Sequence, residues 1–241
     1  MKTCIVIPLY NESSRFDTKA FKLFVLNNDI QFCLVNDGSN DETKQIIEDL
    51  SNSINGVYAL NIEKNKGKAE AVRLGVNYVI EHLNCNAVGY YDADFATPLI
   101  ELRKLNTFYS ENNFTFIMGS RIKRLGATIN RYKSRHFSGR FIATFISEYI
   151  LNLPVYDTQC GVKIINIEVA KVVFNDNFKS KWLFDVELIA RMKKHYGRDY
   201  CLKNVYEYPL SYWEDKGNSK ITFKDALFIP HHLLKLYFHY R

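Results

Sequence analysis

The chain has 241 residues and a formal net charge of +6. Its 47% hydrophobic and 24% charged residues exclude a disordered chain, and its 11 Gly and 5 Pro exclude collagen-like or low-complexity architecture. No stretch approaches about 20 residues without charge, so no membrane-spanning helix is expected. Along the chain, Thr3–Leu9 (TCIVIPL) is short, continuous and β-branched, and lacks a small-residue cleavage site; it predicts a buried strand rather than a signal peptide. Ser13–Leu26 has helical spacing, Ile30–Val35 reads as a strand, and Asn40–Leu50 as a helix with Ser39 or Asn40 as N-cap. Strand Val57–Ile62, helix Lys68–Leu83, strand Ala87–Tyr91, helix Pro98–Tyr109 and strand Thr115–Gly119 follow. The second half is less regular: helix His136–Leu153, strand Val162–Ile165, helix Phe184–His195, strand Val205–Trp213, and a last helix Ala226–Tyr240 interrupted early by Pro230.

Alternating strands and helices with short connections predict an α/β fold with a mainly parallel sheet flanked by helices. Such sheets bind ligands beyond the carboxyl ends of their strands. Those ends carry Pro8-Leu9-Tyr10-Asn11-Glu12, Asn36-Asp37-Gly38-Ser39, Tyr91-Asp92-Ala93-Asp94 and Gly119-Ser120-Arg121. All are polar or small and three hold carboxylates, so they are expected to converge on one edge.

Asp92 and Asp94 are two residues apart in extended chain and share a face. Their charges repel unless a cation lies beside them, and hard cations that keep positions open for phosphate suit such a pair. The pair reads as a metal-diphosphate site or as an exposed acidic loop. Asp37 is placed to accept hydrogen bonds from a nucleoside or to form an Asx-turn or helix cap. Asn65-Lys66-Gly67-Lys68 puts two lysines at a helix start, where phosphate can be met, without a full phosphate-loop pattern. Residues 119–149 hold seven Lys and Arg against Glu148 alone, so the whole net charge resides there. That segment meets an anionic partner or forms a solvated face. The five cysteines form no CxxC pair and the six histidines no HxxxH, which speaks for buried thiols in a reducing compartment and against zinc. The aromatic content beside a basic stripe comes with no RNA-binding motif, so nucleic acid is not expected.

IVIPLYNE, VNDGSND, NKGKAEAVRLG, YDADFATP and GSR, in this order and spacing, resemble the family 2 inverting glycosyltransferases of the GT-A fold. DTQCGVKII, KWLFDVEL and YWEDKGNSK resemble the dolichyl-phosphate β-glucosyltransferase branch, with dolichol-phosphate mannose synthase as a near relative. The resemblance covers almost the whole chain. It implies one GT-A domain, residues 1–120 binding a nucleotide sugar and 121–241 an acceptor. It also implies a UDP-sugar donor, a polyprenyl phosphate acceptor and Mg²⁺ or Mn²⁺. By matching motif, Pro8, Tyr10 and Glu12 would line the uracil pocket and Asp37 would bind base or ribose. Lys68 would lie near the nucleotide, and Asp92 and Asp94 would serve the nucleotide and the metal. Arg121, Arg131 and Arg135 would meet the acceptor phosphate, and Asp94, Arg121 and Asp157 would be catalytic. Mannose synthases carry a glutamine where Ala96 stands. The glucosyl branch usually has glycine at Phe95, so Phe95 is expected to narrow the site's floor or contact the sugar.

Other readings remain open. A saccharide hydroxyl as acceptor needs a base, for which Asp157, Asp185 and Glu187 are candidates. A binding module without turnover would keep the pocket. The last helix, with Phe228, Ile229, Leu233, Leu234, Leu236, Tyr237 and Phe238 beside His and Lys, lies in a membrane interface or packs on the domain. Trp182 and Trp213 read as core or acceptor-channel residues. The location expected is cytoplasmic, with a peripheral place on the membrane's cytoplasmic face.

Overall fold

The computed structural model describes residues 1–130, 141–217 and 223–240, the stretch 223–227 by its backbone. A seven-stranded sheet runs through the molecule in the order β3-β2-β1-β4-β7-β5-β8. Its strands are β1 (Thr3–Leu9), β2 (Ile30–Asp37), β3 (Val57–Ile62), β4 (Ala87–Tyr91), β5 (Phe116–Ser120), β7 (Val162–Asn166) and β8 (Val205–Pro209). Neighbours pair in parallel except β7, which is antiparallel to both β4 and β5. A small second sheet pairs β6 (Thr128–Asn130) with β9 (Tyr212–Glu214).

Helices cover both faces. One face buries α1 (Thr18–Leu26), α2 (Thr43–Ser53) and α4 (Leu99–Glu111) through Phe21, Val25, Ile47, Leu50, Leu102 and Leu105. The other carries α3 (Lys68–His82), α5 (141–151), α6 (Ile167–Val173), α7 (Phe184–Tyr196), α8 (Arg198–Asn204) and α9 (Phe223–Tyr240). β1 shows how sequence makes this core: with apolar layers on both faces, Cys4, Ile5, Val6 and Ile7 are all fully buried. Helix α3 lies close on β1 and β2 because Gly75 has no side chain; a Cβ there would stand 2.5 Å from Val6 Cγ1 and 2.7 Å from Val35 Cγ2.

The first half matches the expected order of elements, with shifts of a few residues at helix starts. α2 begins at Thr43, where Asp41 Oδ1 accepts the Thr43 amide (3.0 Å), not at Ser39 or Asn40. The second half differs more. Val205–Trp213 is two strands in two sheets: the Leu210 amide makes the last bond to β5 (Ser120 carbonyl, 3.0 Å), and the chain then turns at Ser211 to pair with β6, with Pro209 tolerated on the edge strand because its missing N–H does not face β5. Ser211 donates its amide to buried Glu101 (2.8 Å) at that turn. The last helix passes unbroken through Pro230, which sits on its exposed side. Water there can take the carbonyl that proline leaves unpaired. Ile146–Leu151, the second half of α5, is π-helical, and Lys193 Nζ donates to the Ile150 and Leu151 carbonyls at its end (3.2 and 2.8 Å). Residues 136–140 of the expected helix lie outside the described residues. Sequence reading missed α6, α8 and β6.

Candidate active site

β1 has β2 on one side and β4 on the other, and the chain order reverses between β1 and β4. The crevice past their carboxyl ends is the place where an open α/β sheet accepts a ligand. A cleft of about 720 Å³ opens there, and the four strand-end loops converge on it: Pro8, Leu9, Tyr10, Glu12, Asp37, Asp92 to Asp94, and Arg121 all line it.

At one end, Asp37 is buried and its two oxygens accept the amides of Lys66 and Gly67, each at 2.8 Å. It thus ties the end of β2 to the start of α3, and does not cap the helix that follows it. Burial raises its pKa, while the two amides pull the other way. Glu12 is also buried, with its amide donating to Thr43 Oγ1 (2.9 Å) and its carboxylate 3.6 Å from Arg15.

At the centre, Asp92 forms an ion pair with Lys68 at 2.5 Å. Burial lowers the Lys68 pKa, but the carboxylates of Asp92 and Asp185 outweigh it and the net shift is upward. Behind Asp92 stands Gly161: the Asp92 amide donates to the Gly161 carbonyl (3.0 Å), and a Cβ on Gly161 would lie 2.0 Å from Asp92 Oδ2. The glycine of DTQCG is therefore the seat of the first aspartate. Asp94 Oδ1 accepts the Ala96 amide (3.0 Å). Burial, then the Asp92 charge, raise its pKa. Directly after Asp94, Phe95 takes φ +51°, the left-handed region that favours glycine. Its ring packs on Phe16 (5.3 Å) and Tyr91 (5.8 Å) and is not part of the cleft lining, so the expected contact with the site's floor is not made.

On the far wall, Arg121 is gripped by Asp157. Nε donates to Oδ2 and Nη2 to Oδ1, both at 2.7 Å, and the Arg121 amide also donates to Oδ2 (2.9 Å). Trp213 stacks 5.2 Å from the guanidinium carbon. Burial works against the charge on Arg121, yet Asp157 holds its pKa above the ordinary value. Asp157 is in turn mounted on Glu207, whose carboxylate accepts the Tyr156 and Asp157 amides, each at 2.7 Å. Arg131 and Arg135 lie outside the described residues.

The alternative bases are otherwise employed. Asp185 lines the cleft, but its Oδ1 accepts from Lys163 Nζ (2.6 Å) and from the Tyr90 hydroxyl, so it does not cap α7. Ser180 Oγ takes the Leu183 amide there instead (3.2 Å). Glu187 is fully buried and accepts the Lys179 and Ser180 amides (3.0 and 2.7 Å). Sequence reading passed over Gln159, Lys181 and Asp215 as cleft residues, and over Lys163 beneath it. A lone lysine inside the apolar run GVKII was the available signal for Lys163, which is 0% exposed. Trp182 and Trp213 both line the cleft.

The oxygen chemistry suits a hard divalent cation, with one restriction. No group of three or more His, Cys, Asp or Glu gathers around a common point among the described residues. Lys68 already neutralises Asp92, which leaves Asp94 as the carboxylate whose raised pKa a cation would relieve. A bound nucleotide would have to complete the donor set. On the outer surface, α9 buries Leu233, Leu236 and Tyr240 and exposes Phe228, Leu234 and Phe238. It therefore packs on the domain while presenting a second apolar face. No described helix is long and apolar enough to cross a membrane.

Comparison with known proteins agrees with this architecture. The sequence model of the family described as "Glycosyl transferase family 2" matches residues 4–174. A Trichomonas vaginalis protein named dolichyl-phosphate beta-glucosyltransferase ALG5C is 28% identical over 99% of this chain and 72% of its own. The human dolichyl-phosphate beta-glucosyltransferase is 25% identical over 93% of this chain and 74% of its own. Among solved structures, glucosyl-3-phosphoglycerate synthase from Mycobacterium tuberculosis, in complex with Mn²⁺, UDP-glucose and phosphoglyceric acid, superposes with a TM-score of 0.69. The match is 12% identical and covers 98% of this chain and 79% of that one, a likeness of fold.

Proposed function

The chain belongs to glycosyl transferase family 2, and from that premise we propose that it moves glucose or another hexose, with inversion, from a UDP-sugar to a polyprenyl phosphate. That it is a glycosyltransferase follows from the family; the donor and acceptor are our reading. Relatives named for dolichyl phosphate and glucose support the choice, as does a fold neighbour solved with UDP-glucose.

The observation that carries the acceptor assignment is the state of the carboxylates. Asp157 is spent on Arg121, Asp185 on Lys163 and Tyr90, and Glu187 on two peptide amides. A saccharide hydroxyl needs a base to take its proton. A phosphate monoester, with a second pKa of ~6, arrives already ionised and needs none. What it needs is a cation in fixed geometry. Arg121 offers this: Asp157 holds its Nε and Nη2 edge, and the side chain lines the cleft.

In this reading residues 1–120 bind the donor. Pro8, Tyr10 and Glu12 surround the base, Asp37 meets base or ribose, and Lys68 with Asp92 faces the nucleotide. Residues 121–241 bind the acceptor, with Arg121, Arg131 and Arg135 toward its phosphate. An acceptor oxygen attacks the anomeric carbon in line, the bond to UDP breaks, and its electron pair stays on the departing diphosphate. Mg²⁺ or Mn²⁺, held by Asp94 beside Asp92, would offset that charge. Lys68, coupled to Asp92, brings further positive charge to the same place. Asp157 acts through Arg121 as a positioning residue. The exposed Phe228, Leu234 and Phe238 of α9, next to α5 with its exposed Phe141 and Tyr149, fit peripheral attachment to a cytoplasmic membrane face.

Radiolabelled UDP-glucose given with and without polyprenyl phosphate tests the reading. Label entering the organic phase only with the lipid is the expected result. Label moving onto soluble saccharides, or UDP binding without transfer, would overturn it.

A further inference from the structure

We propose that Lys181 receives the anionic end of the acceptor, presented to the cleft by a mount that Glu187 builds from behind. The inference deepens the reading above and rests on it for which side of the cleft the acceptor takes.

Most cations around the cleft already have a carboxylate partner. Lys68 is 2.5 Å from Asp92, Arg121 2.7 Å from Asp157, Lys216 3.0 Å from Glu214 and Arg15 3.6 Å from Glu12. Lys181 is exposed, lines the cleft, and forms no ion pair among the described residues. Lys66 shares that state, but its backbone is tied to Asp37 at the donor end. A new anion approaching from the acceptor side therefore meets Lys181 as a cation that need give up no existing partner.

The position of Lys181 is held by the chain around it. Glu187 Oε2 takes the Lys179 amide (3.0 Å), Oε1 takes the Ser180 amide (2.7 Å), and Ser180 Oγ takes the Leu183 amide (3.2 Å). Glu187 is itself secured by the Tyr240 hydroxyl (3.1 Å) and lies 3.5 Å from Arg191 Nη2. A carboxylate with no exposure is tolerated because donors surround it, and that same set of donors makes a stiff support. Lys181 sits between two pinned stretches, with Trp182 beside it on the cleft wall. Phe184, three residues on, lies 5.9 Å from Lys68 Nζ, which sets this segment across from the Asp92 centre. An ammonium presented by an ordered segment loses less freedom on binding than one on a mobile loop.

The ligand chemistry is a phosphate monoester, lipid-borne or soluble. Wild type, Lys181→Ala and Lys181→Arg are titrated at saturating UDP with a short-chain polyprenyl monophosphate in detergent and with glycerol phosphate. Tryptophan fluorescence, from Trp182 and Trp213 on the cleft wall, reports binding, and KM and kcat are measured with the lipid. Lys181→Ala is expected to raise the lipid Kd and KM about tenfold while UDP affinity stays unchanged, with Lys181→Arg restoring most of the loss. Glu187→Gln is expected to raise the acceptor KM by a larger factor than it lowers kcat. Equal acceptor KM in wild type and Lys181→Ala overturns the role of Lys181 and leaves the transfer reading intact. Lys181-dependent binding of glycerol phosphate without transfer to lipid supports Lys181 and sinks the lipid acceptor. Wild type binding neither phosphate overturns the inference.

Discussion

The two walls of the cleft are built on different principles. The wall we assign to the donor comes from loops that directly follow parallel strands, and its carboxylates bind backbone amides: Asp37 holds those of Lys66 and Gly67, and Asp94 that of Ala96. The wall we assign to the acceptor is held largely by pairs of charged side chains. Arg121 meets Asp157, Asp157 rests on Glu207, and Lys163 reaches Asp185. The first wall follows from strand order. The second depends on charged side chains that hold one another, so single substitutions there remove more than one contact.

Breaking that second wall should have the largest effect. Arg121→Ala leaves Asp157 buried without its cation and should cost about 3–5 kcal/mol in denaturant unfolding. Turnover should fall about 10²–10³-fold. The double variant Arg121→Ala with Asp157→Ala should recover part of the stability and none of the turnover; a double variant that transfers sugar at the wild-type rate would exclude Arg121 from the acceptor site. Asp94→Ala, on the donor wall, should abolish the metal dependence of UDP binding with little loss of stability, as titration of UDP with and without Mn²⁺ would read. Metal-dependent binding that survives would refute the cation assignment.

Gly161→Ala joins the two walls, because the added Cβ would press on Asp92. It should destabilise by about 1–3 kcal/mol and weaken UDP binding in calorimetry. A smaller change is expected from pH: with an ionised acceptor as nucleophile, kcat/KM should rise through about pH 6 as the acceptor loses its second proton, then level off. The same curve at every acceptor, soluble saccharides included, would point to an enzyme base instead. Smallest of all, Tyr240→Phe removes one hydroxyl from Glu187 and should cost about 1 kcal/mol. It should show mainly as a raised acceptor KM.

The convergence of Asp37, Asp92 and Asp94 on one cleft was legible in advance because β-branched runs and the strand-end rule place them without knowledge of any long-range contact. Phe95 shows the limit of that reading. Its position beside the aspartates suggested the site's floor, but a left-handed backbone turns its ring into the Phe16–Tyr91 cluster. Lys181 was missed for the opposite reason. Nothing local marks a lysine before a helix as functional, and its importance arises from Glu187 holding the two preceding amides.

The order of strands and helices from β1 to β5, the buried character of β1, β2 and β4, and the loops that could bear ligands were determined by the amino-acid sequence alone. Periodicity and turn chemistry act over a few residues and survive without context. Which carboxylates are left to act was decided by the tertiary structure. A charge is neutralised by whatever cation the fold brings within about 4 Å, and for Asp92, Asp157 and Asp185 those cations come from β-strand ends and helices tens of residues away.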